Sequence, residues 1–257
     1  NLTNKKTRKQ LHRELMKVNT NNLVVKFKNS NKSDFRKNNL IIVNSSFNLR
    51  KKRNIVFVDV ETTGIPEKIS YKTQYRKYYK YPSPRDKKAY ENAKLISLAY
   101  MITDETGKII LEPKEFIVKQ HRYTIPDNIA ELTGITTDIA NKKGIQRDLV
   151  ITEFENDIKK YNVTYFISHN VDFDKSILMN NALLRNWIED DLLIHLERNI
   201  IYECTSKLVK KETGNYKKLE ECIKNILNEK PVNLHNALSD MIYCKKLYFQ
   251  LKYNQSN

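Results

Sequence analysis

The sequence predicts an α/β protein, a mixed sheet flanked by helices, on three observations. Ile55-Val56-Phe57-Val58 is a continuous apolar run of the kind expected for a strand buried on both faces. Leu95 to Ile102 and Lys108 to Leu111, joined by Asp104-Glu105-Thr106-Gly107, have the pattern of a hairpin with a glycine-containing turn. From there on, strand-like and helix-like segments alternate, which points to a sheet with helices packed on it.

The order of elements begins with a basic arm. Residues 1 to 53 mix Asn, Lys and Ser with two short apolar clusters, Leu23 to Phe27 and Leu40 to Val43, too few to form a core alone. An arm that is partly disordered or packed on the body is expected there, with the main domain over residues 54 to 252. Phe116 to Val118 extends the meander. Ile129 to Leu132 closed by Gly134 predicts a short helix, and Val150, Phe154 and Ile158 have helical spacing. Val163 to Ser168 is a second buried strand. Helices are expected from Asp172 to Arg185 and from Leu219 to Leu227, and a last one from Asn233, its N-cap, to about Leu251.

The net charge of +16 over 257 residues is unevenly placed. Ten Lys and five Arg against Glu14 and Asp34 give residues 1 to 53 a charge of +13, and residues 65 to 94 add +6. The remaining body is slightly acidic. A basic periphery around an acidic centre suits a protein that grips a polyanion, which makes nucleic acid the expected partner. In the 65–94 segment Tyr71, Tyr75, Tyr78, Tyr79 and Tyr81 interleave with Lys72, Arg76, Lys77 and Lys80. Such a stretch either stacks bases and pairs phosphates, with Tyr75, Arg76 and Lys77 as candidate contacts, or is a solvated loop. Cys204, Cys222 and Cys244 form no Cys-x-x-Cys pair, so neither a disulfide framework nor a zinc site is suggested and an intracellular, reducing compartment is expected. No apolar run reaches the length of a membrane span.

Three segments carry chemistry. Asp59 and Glu61, two apart at the end of the first buried strand, put both carboxylates on one side of the sheet, and hard oxygen ligands of this kind suit Mg²⁺ or Mn²⁺. Thr62-Thr63-Gly64 follows, a turn that brings backbone N–H groups near a phosphate or terminal hydroxyl. Ser168-His169-Asn170-Val171-Asp172-Phe173-Asp174 repeats the layout of strand, polar turn and helix, with Asp172 as the candidate N-cap, Asp174 free to face the cleft and His169 a structural histidine. His235 and Asp240, about 140° apart on an ideal helix, reach one site only if His235 lies at or before the opening turn.

Taken together, Asp-x-Glu-Thr-Thr-Gly, then His-Asn-x-x-Phe-Asp-x-x-x-Leu from His169 to Leu178, then His235 with Asp240 five residues on, resemble the DEDDh exonucleases, the superfamily of polymerase proofreading subunits, ribonuclease T and oligoribonuclease. Leu132-Thr133-Gly134-Ile135-Thr136 is similar to the family's segment between its first two motifs, and the likeness covers about residues 54 to 251. It implies a ribonuclease H-like mixed five-stranded sheet, two Mg²⁺ or Mn²⁺ ions held by Asp59, Glu61, Asp174 and Asp240, His235 as general base, and cleavage from single-stranded 3′ ends of DNA or RNA to nucleoside 5′-monophosphates. Thr62, Thr63, Gly64 and Asn170 would then contact the terminal nucleotide. Cys204-Thr205 departs from the Asp-Thr frequent in the family. The rival reading is a catalytically silent nucleic-acid-binding module on the same fold; four converging acids that repel phosphate argue against it.

Overall fold

The computed structural model describes residues 23–27, 36–44, 53–72, 77–120, 122–185 and 191–254. The chain divides into two compact units, Asn1–Lys52 and Arg53–Asn257. In the first, the two apolar clusters become strands β1 (Leu23–Phe27) and β2 (Leu40–Asn44), paired antiparallel with Leu23 opposite Asn44 and Phe27 opposite Leu40.

The second unit is built on β3 (Asn54–Thr62), β6 (Leu95–Thr103), β7 (Ile109–Ile117), β8 (Val163–Ser168) and β9 (Ile201–Cys204), in the order β7-β6-β3-β8-β9. Here β4 (Ile69–Lys72) and β5 (Lys77–Lys80) form a separate antiparallel hairpin within the 65–94 segment. Strand β3 pairs antiparallel with β6 and parallel with β8, so the sheet is mixed, and it is flanked by helices on both faces as the sequence predicts. The segments that alternate strand and helix build the parallel half, because a parallel pair needs a crossover while an antiparallel pair needs only a turn.

The helices are α1 (Asp127–Thr133), α2 (Thr137–Lys143), α3 (Arg147–Lys160), α4 (Val171–Leu183), α5 (Asp191–Arg198), α6 (Thr205–Thr213), α7 (Leu219–Asn225) and α8 (Ala237–Asn254). Gly134 ends α1 in the left-handed conformation, φ 72°, which a residue without Cβ adopts at little cost. On one face of the sheet Val56, Val58 and Val60 bury against Val150, Phe154 and Ile158 of α3 and Ile177 of α4. The other face carries Ile55 and Phe57, which pack on Ala237, Met241, Cys244 and Tyr248 of α8. Each such aliphatic or aromatic side chain contributes about 1.5–3 kcal/mol on burial. No helix of the described residues is long and apolar enough to cross a membrane.

Two expected helix caps are corrected. The last helix starts at Ala237, and Asn236, rather than Asn233, accepts the Ser239 N–H at 3.0 Å; Asn233 instead sits in a left-handed turn, φ 51°. Helix α4 starts at Val171, so Asp172 lies inside the first turn and forms an exposed ion pair with Lys207 at 2.7 Å rather than capping. Tyr75 and Arg76 fall outside the described residues, and Lys77 opens β5.

Candidate active site

The acids are placed by the strand's alternation. Residues 55, 57, 59 and 61 share one face of β3, so Asp59 and Glu61 continue the row of Ile55 and Phe57 toward α8. On α8 the stripe Ala237, Met241, Cys244 and Tyr248 faces that row, and Asp240 lies on the same side of the helix, one turn before Cys244. Ligand oxygens of Asp59, Glu61 and Asp240 accordingly all lie within 4.8 Å of one another.

Asp174 joins from the other side. The parallel pairing of β3 with β8 ends at Phe57 opposite Ile167, so β3 runs on past its neighbour with an open edge. Asp174 Oδ1 takes the Val60 N–H exposed there, at 3.2 Å, and Oδ2 accepts the Ser168 hydroxyl at 2.7 Å. At 3 % exposure, Asp174 is the most buried of the four acids and sits beside Asp59 without belonging to the three-carboxylate cluster. Ser168, the last residue of β8, is the partner that sequence reasoning missed.

The electrostatics record the crowding. Burial, then Asp174, Glu61 and Asp240, holds the Asp59 carboxyl well above the usual carboxylate range. Burial and the charges of Asp240 and Asp174 push Glu61 up to about 8. Burial raises Asp174 to about 7 against the opposing hydrogen bonds from Ser168 and Val60, and raises Asp240 to about 6, opposed by the His235 N–H and by the His235 charge. Among the described residues no Lys or Arg pairs with any of the four. Asp240 Oδ1 is buried without a hydrogen-bond partner. A buried acceptor beside two further carboxylates fits a cation, and an all-oxygen donor set fits a hard divalent one.

His235 occupies the turn before α8 with φ 61° and an exposed side chain, and its backbone N–H donates to Asp240 Oδ2 at 3.2 Å. It therefore lies ahead of the helix, as the five-residue spacing requires. The turn is tied down from the sheet: Asn236 Nδ2 donates to Glu115 Oε1 at 2.9 Å, and Glu115 lies opposite Ala99, which lies opposite Asp59. Glu115 is a second contributor without a sequence signal.

After the acids, Thr62 Oγ1 donates to the Gly64 carbonyl at 2.5 Å, Thr63 N donates to the Lys94 carbonyl at 2.9 Å, and Lys94 N returns to Thr63 Oγ1 at 2.9 Å. A Cβ on Gly64 would meet the Asn92 carbonyl oxygen at 2.7 Å, so only glycine lets the turn approach this closely. Asn170 precedes α4 and donates to the Tyr81 hydroxyl at 3.3 Å. His169 is the structural histidine expected, its ring nitrogens engaged by Thr205 Oγ1 at 2.9 Å and the Lys217 carbonyl at 3.0 Å. Cys204 ends the edge strand β9 and Thr205 opens α6, so the Cys-Thr departure sits at a strand-to-helix junction and leaves the four acids in place.

The model of the RNase_T family, described as exonuclease, matches residues 56–248. Comparison with curated protein sequences finds no match. Among solved structures, the fold is similar to a zinc-bound complex of E. coli exonuclease I with single-stranded DNA, at TM-score 0.59 and 18% identity over 80% of this chain and 42% of that one. The same figures hold for E. coli exonuclease I in complex with a dT13 oligonucleotide. A product-bound exonuclease I gives TM-score 0.58 and 17% identity over 80% and 45%. The chain thus spans under half the length of the exonuclease I chains it matches, and the likeness shows the fold, a ribonuclease H-like mixed sheet.

Proposed function

The chain belongs to the RNase_T exonuclease family, and on that premise we propose that it is a metal-dependent 3′→5′ exonuclease, hydrolysing terminal phosphodiester bonds of DNA or RNA to release nucleoside 5′-monophosphates. The observation that carries the reading is the cluster of Asp59, Glu61 and Asp240, whose carboxylate oxygens converge within 4.8 Å around a buried, unpartnered Asp240 Oδ1. Four acids whose protons are held on by burial, and at Asp59 and Glu61 also by the neighbouring carboxylates, are unfavourable for binding a bare phosphate and favourable for binding divalent cations first.

In this reading Asp59, Glu61 and Asp240 hold two Mg²⁺ or Mn²⁺ ions, and Asp174 contributes the lone pairs left over from its bonds to Val60 and Ser168. Bound there, the ions supply Lewis-acid stabilisation of the charge that builds on phosphate and leaving oxygen. His235 receives the proton of the attacking water on a ring nitrogen, a task that suits a solvent-facing imidazole held by a tethered backbone turn. Thr62, Thr63 and Gly64 present backbone groups to the terminal nucleotide, and Asn170 lies at the start of the helix that carries Asp174.

The test is digestion of 5′-labelled single-stranded DNA, RNA and duplex with Mg²⁺ or Mn²⁺. A ladder shortening from the 3′ end, nucleoside 5′-monophosphate as product and loss of both with EDTA are expected. Internal cuts, shortening from the 5′ end, or binding without digestion would overturn the proposal.

A further inference from the structure

On the outer flank of α4 a cleft of about 820 Å³ opens between the 65–94 segment and helices α4 and α6. Five cations line it, from both walls, against only two acids, Asp172 and Glu197. Lys68 lies over the Tyr81 ring at 4.7 Å and Lys175 over the Tyr202 ring at 4.1 Å. Among the described residues neither has a carboxylate partner. Lys207 and Arg85 are the cations held by the two acids, Asp172 and Glu197 respectively. Tyr216, 60 % exposed, stands on the far wall with Lys210 over one face of its ring at 4.3 Å.

The cleft begins where the helix carrying Asp174 begins. Asn170, which lines it, sits immediately before α4, and the N-terminus of α4 has no side-chain cap. Asp172 faces the cleft, while Asp174, two residues on and about 200° around the helix, faces β3 beside Asp59. The width of one helix, roughly 10 Å, therefore separates cleft from acids. Its volume is that of a ligand pocket, roughly 300–1,000 Å³, with room for about one or two nucleotides.

We infer that this cleft holds the unpaired strand upstream of the terminal nucleotide, its phosphates against Lys68 and Lys175 and a base on Tyr216. Cations interleaved with aromatic rings bind a single strand without regard to sequence, because every nucleotide carries a charge and a π-face. The inference rests on the exonuclease reading of the adjoining acids, and it makes the substrate a frayed or single-stranded end whose affinity grows with length.

The test reads binding alone. Fluorescence anisotropy with labelled oligothymidylates of two and ten nucleotides, in EDTA, is measured for the full chain, for Lys68→Glu/Lys175→Glu, for Tyr216→Ala, and for Lys142→Glu/Lys143→Glu, an equal charge change at the exposed end of α2. Wild type should bind the decanucleotide more tightly than the dinucleotide. The cleft double variant should lose about tenfold or more on the decanucleotide, with the slope of log affinity against log salt shallower by roughly 0.7 for each phosphate no longer neutralised. Tyr216→Ala should lose roughly fivefold or more. Equal losses in the cleft and α2 variants, or no gain in affinity with length, would overturn the inference. Cleft-dependent binding in a protein that digests no 3′ end would keep the cleft and refute the exonuclease, and the reverse result would do the opposite.

Discussion

Replacing Glu61 with Gln should stabilise the cation-free protein, and the gain should grow with pH. A carboxyl that ionises less readily in the folded protein than in the unfolded chain adds no penalty below the unfolded value, and its penalty is complete above the folded one. For Glu61, pushed from 4.5 to about 8 by burial, Asp240 and Asp174, that window runs from about pH 4.5 to about 8. At about 1.4 kcal/mol per pH unit, the penalty rises by up to about 4 kcal/mol between about pH 5 and pH 8.5. Glutamine keeps the shape and removes the charge, so urea denaturation in EDTA should show a small difference from wild type at about pH 5 and a Glu61→Gln protein more stable by about 2–4 kcal/mol at about pH 8.5. Adding Mg²⁺ should raise wild-type stability and close most of the gap, since a ligand that binds only the folded state stabilises it by mass action. If Glu61→Gln is equally or less stable than wild type at both pH values, the acids do not repel one another as described and the site is not a charge-strained one.

Asp59→Ala and Asp240→Ala should abolish digestion of labelled oligonucleotides, and retained activity would remove either from the site. Asp174→Ala should also lose activity but, unlike them, unfold more easily by about 1–3 kcal/mol, because the Val60 N–H and Ser168 hydroxyl are left buried without an acceptor; an unchanged urea midpoint would contradict those bonds. His235→Ala should lower the rate about 10²- to 10⁴-fold while metal affinity by calorimetry stays near wild type; loss of metal binding would make it a ligand instead. Deleting residues 1 to 50, which hold most of the net charge, should flatten the salt dependence of binding, and an unchanged slope would assign the arm to another partner.

The parts of the fold that could be read in the sequence are those whose burial is written in a run of residues. Val56, Val58 and Val60 alternating with Ile55 and Phe57 leave no other place for β3 than between two layers, and its end at Asp59 and Glu61 marks the site at the same time. The β4–β5 hairpin gave no such signal, because Ile69 to Lys72 is exposed throughout, and what joins it to β5 besides the backbone ladder includes a surface contact, Lys80 over the Tyr71 ring at 5.7 Å. Helices α5 and α6 are two turns or so each and are not among the helices the sequence predicts, although Leu192 and Leu196 in the one and Thr205 and Val209 in the other stand four apart and are buried. Choosing between Asn233 and Asn236 as the cap needed the tether to Glu115, some 120 residues earlier in the chain. Likewise Asp174 looks like any first-turn acid until β8 is seen to stop short and leave the Val60 N–H open.

The closing of the turn after Glu61 bears on how such a chain is assembled. Thr62 lies opposite Leu95 in the sheet register, and Thr63 and Lys94 bond each other twice, so the 65–94 segment leaves the sheet and returns to it at one point. In outline β3 and β6 are the two legs of an ordinary hairpin whose turn has been replaced by some thirty residues. Since the entropy of closing a loop grows only slowly with its length, segments of very different size can be carried on those same two legs. The exposed part of it that lines the cleft is in this sense an exchangeable cassette, whereas Tyr90 and Ala93 of the same segment are buried in the core and stay with it, as do the carboxylates fixed by β3, α4 and α8.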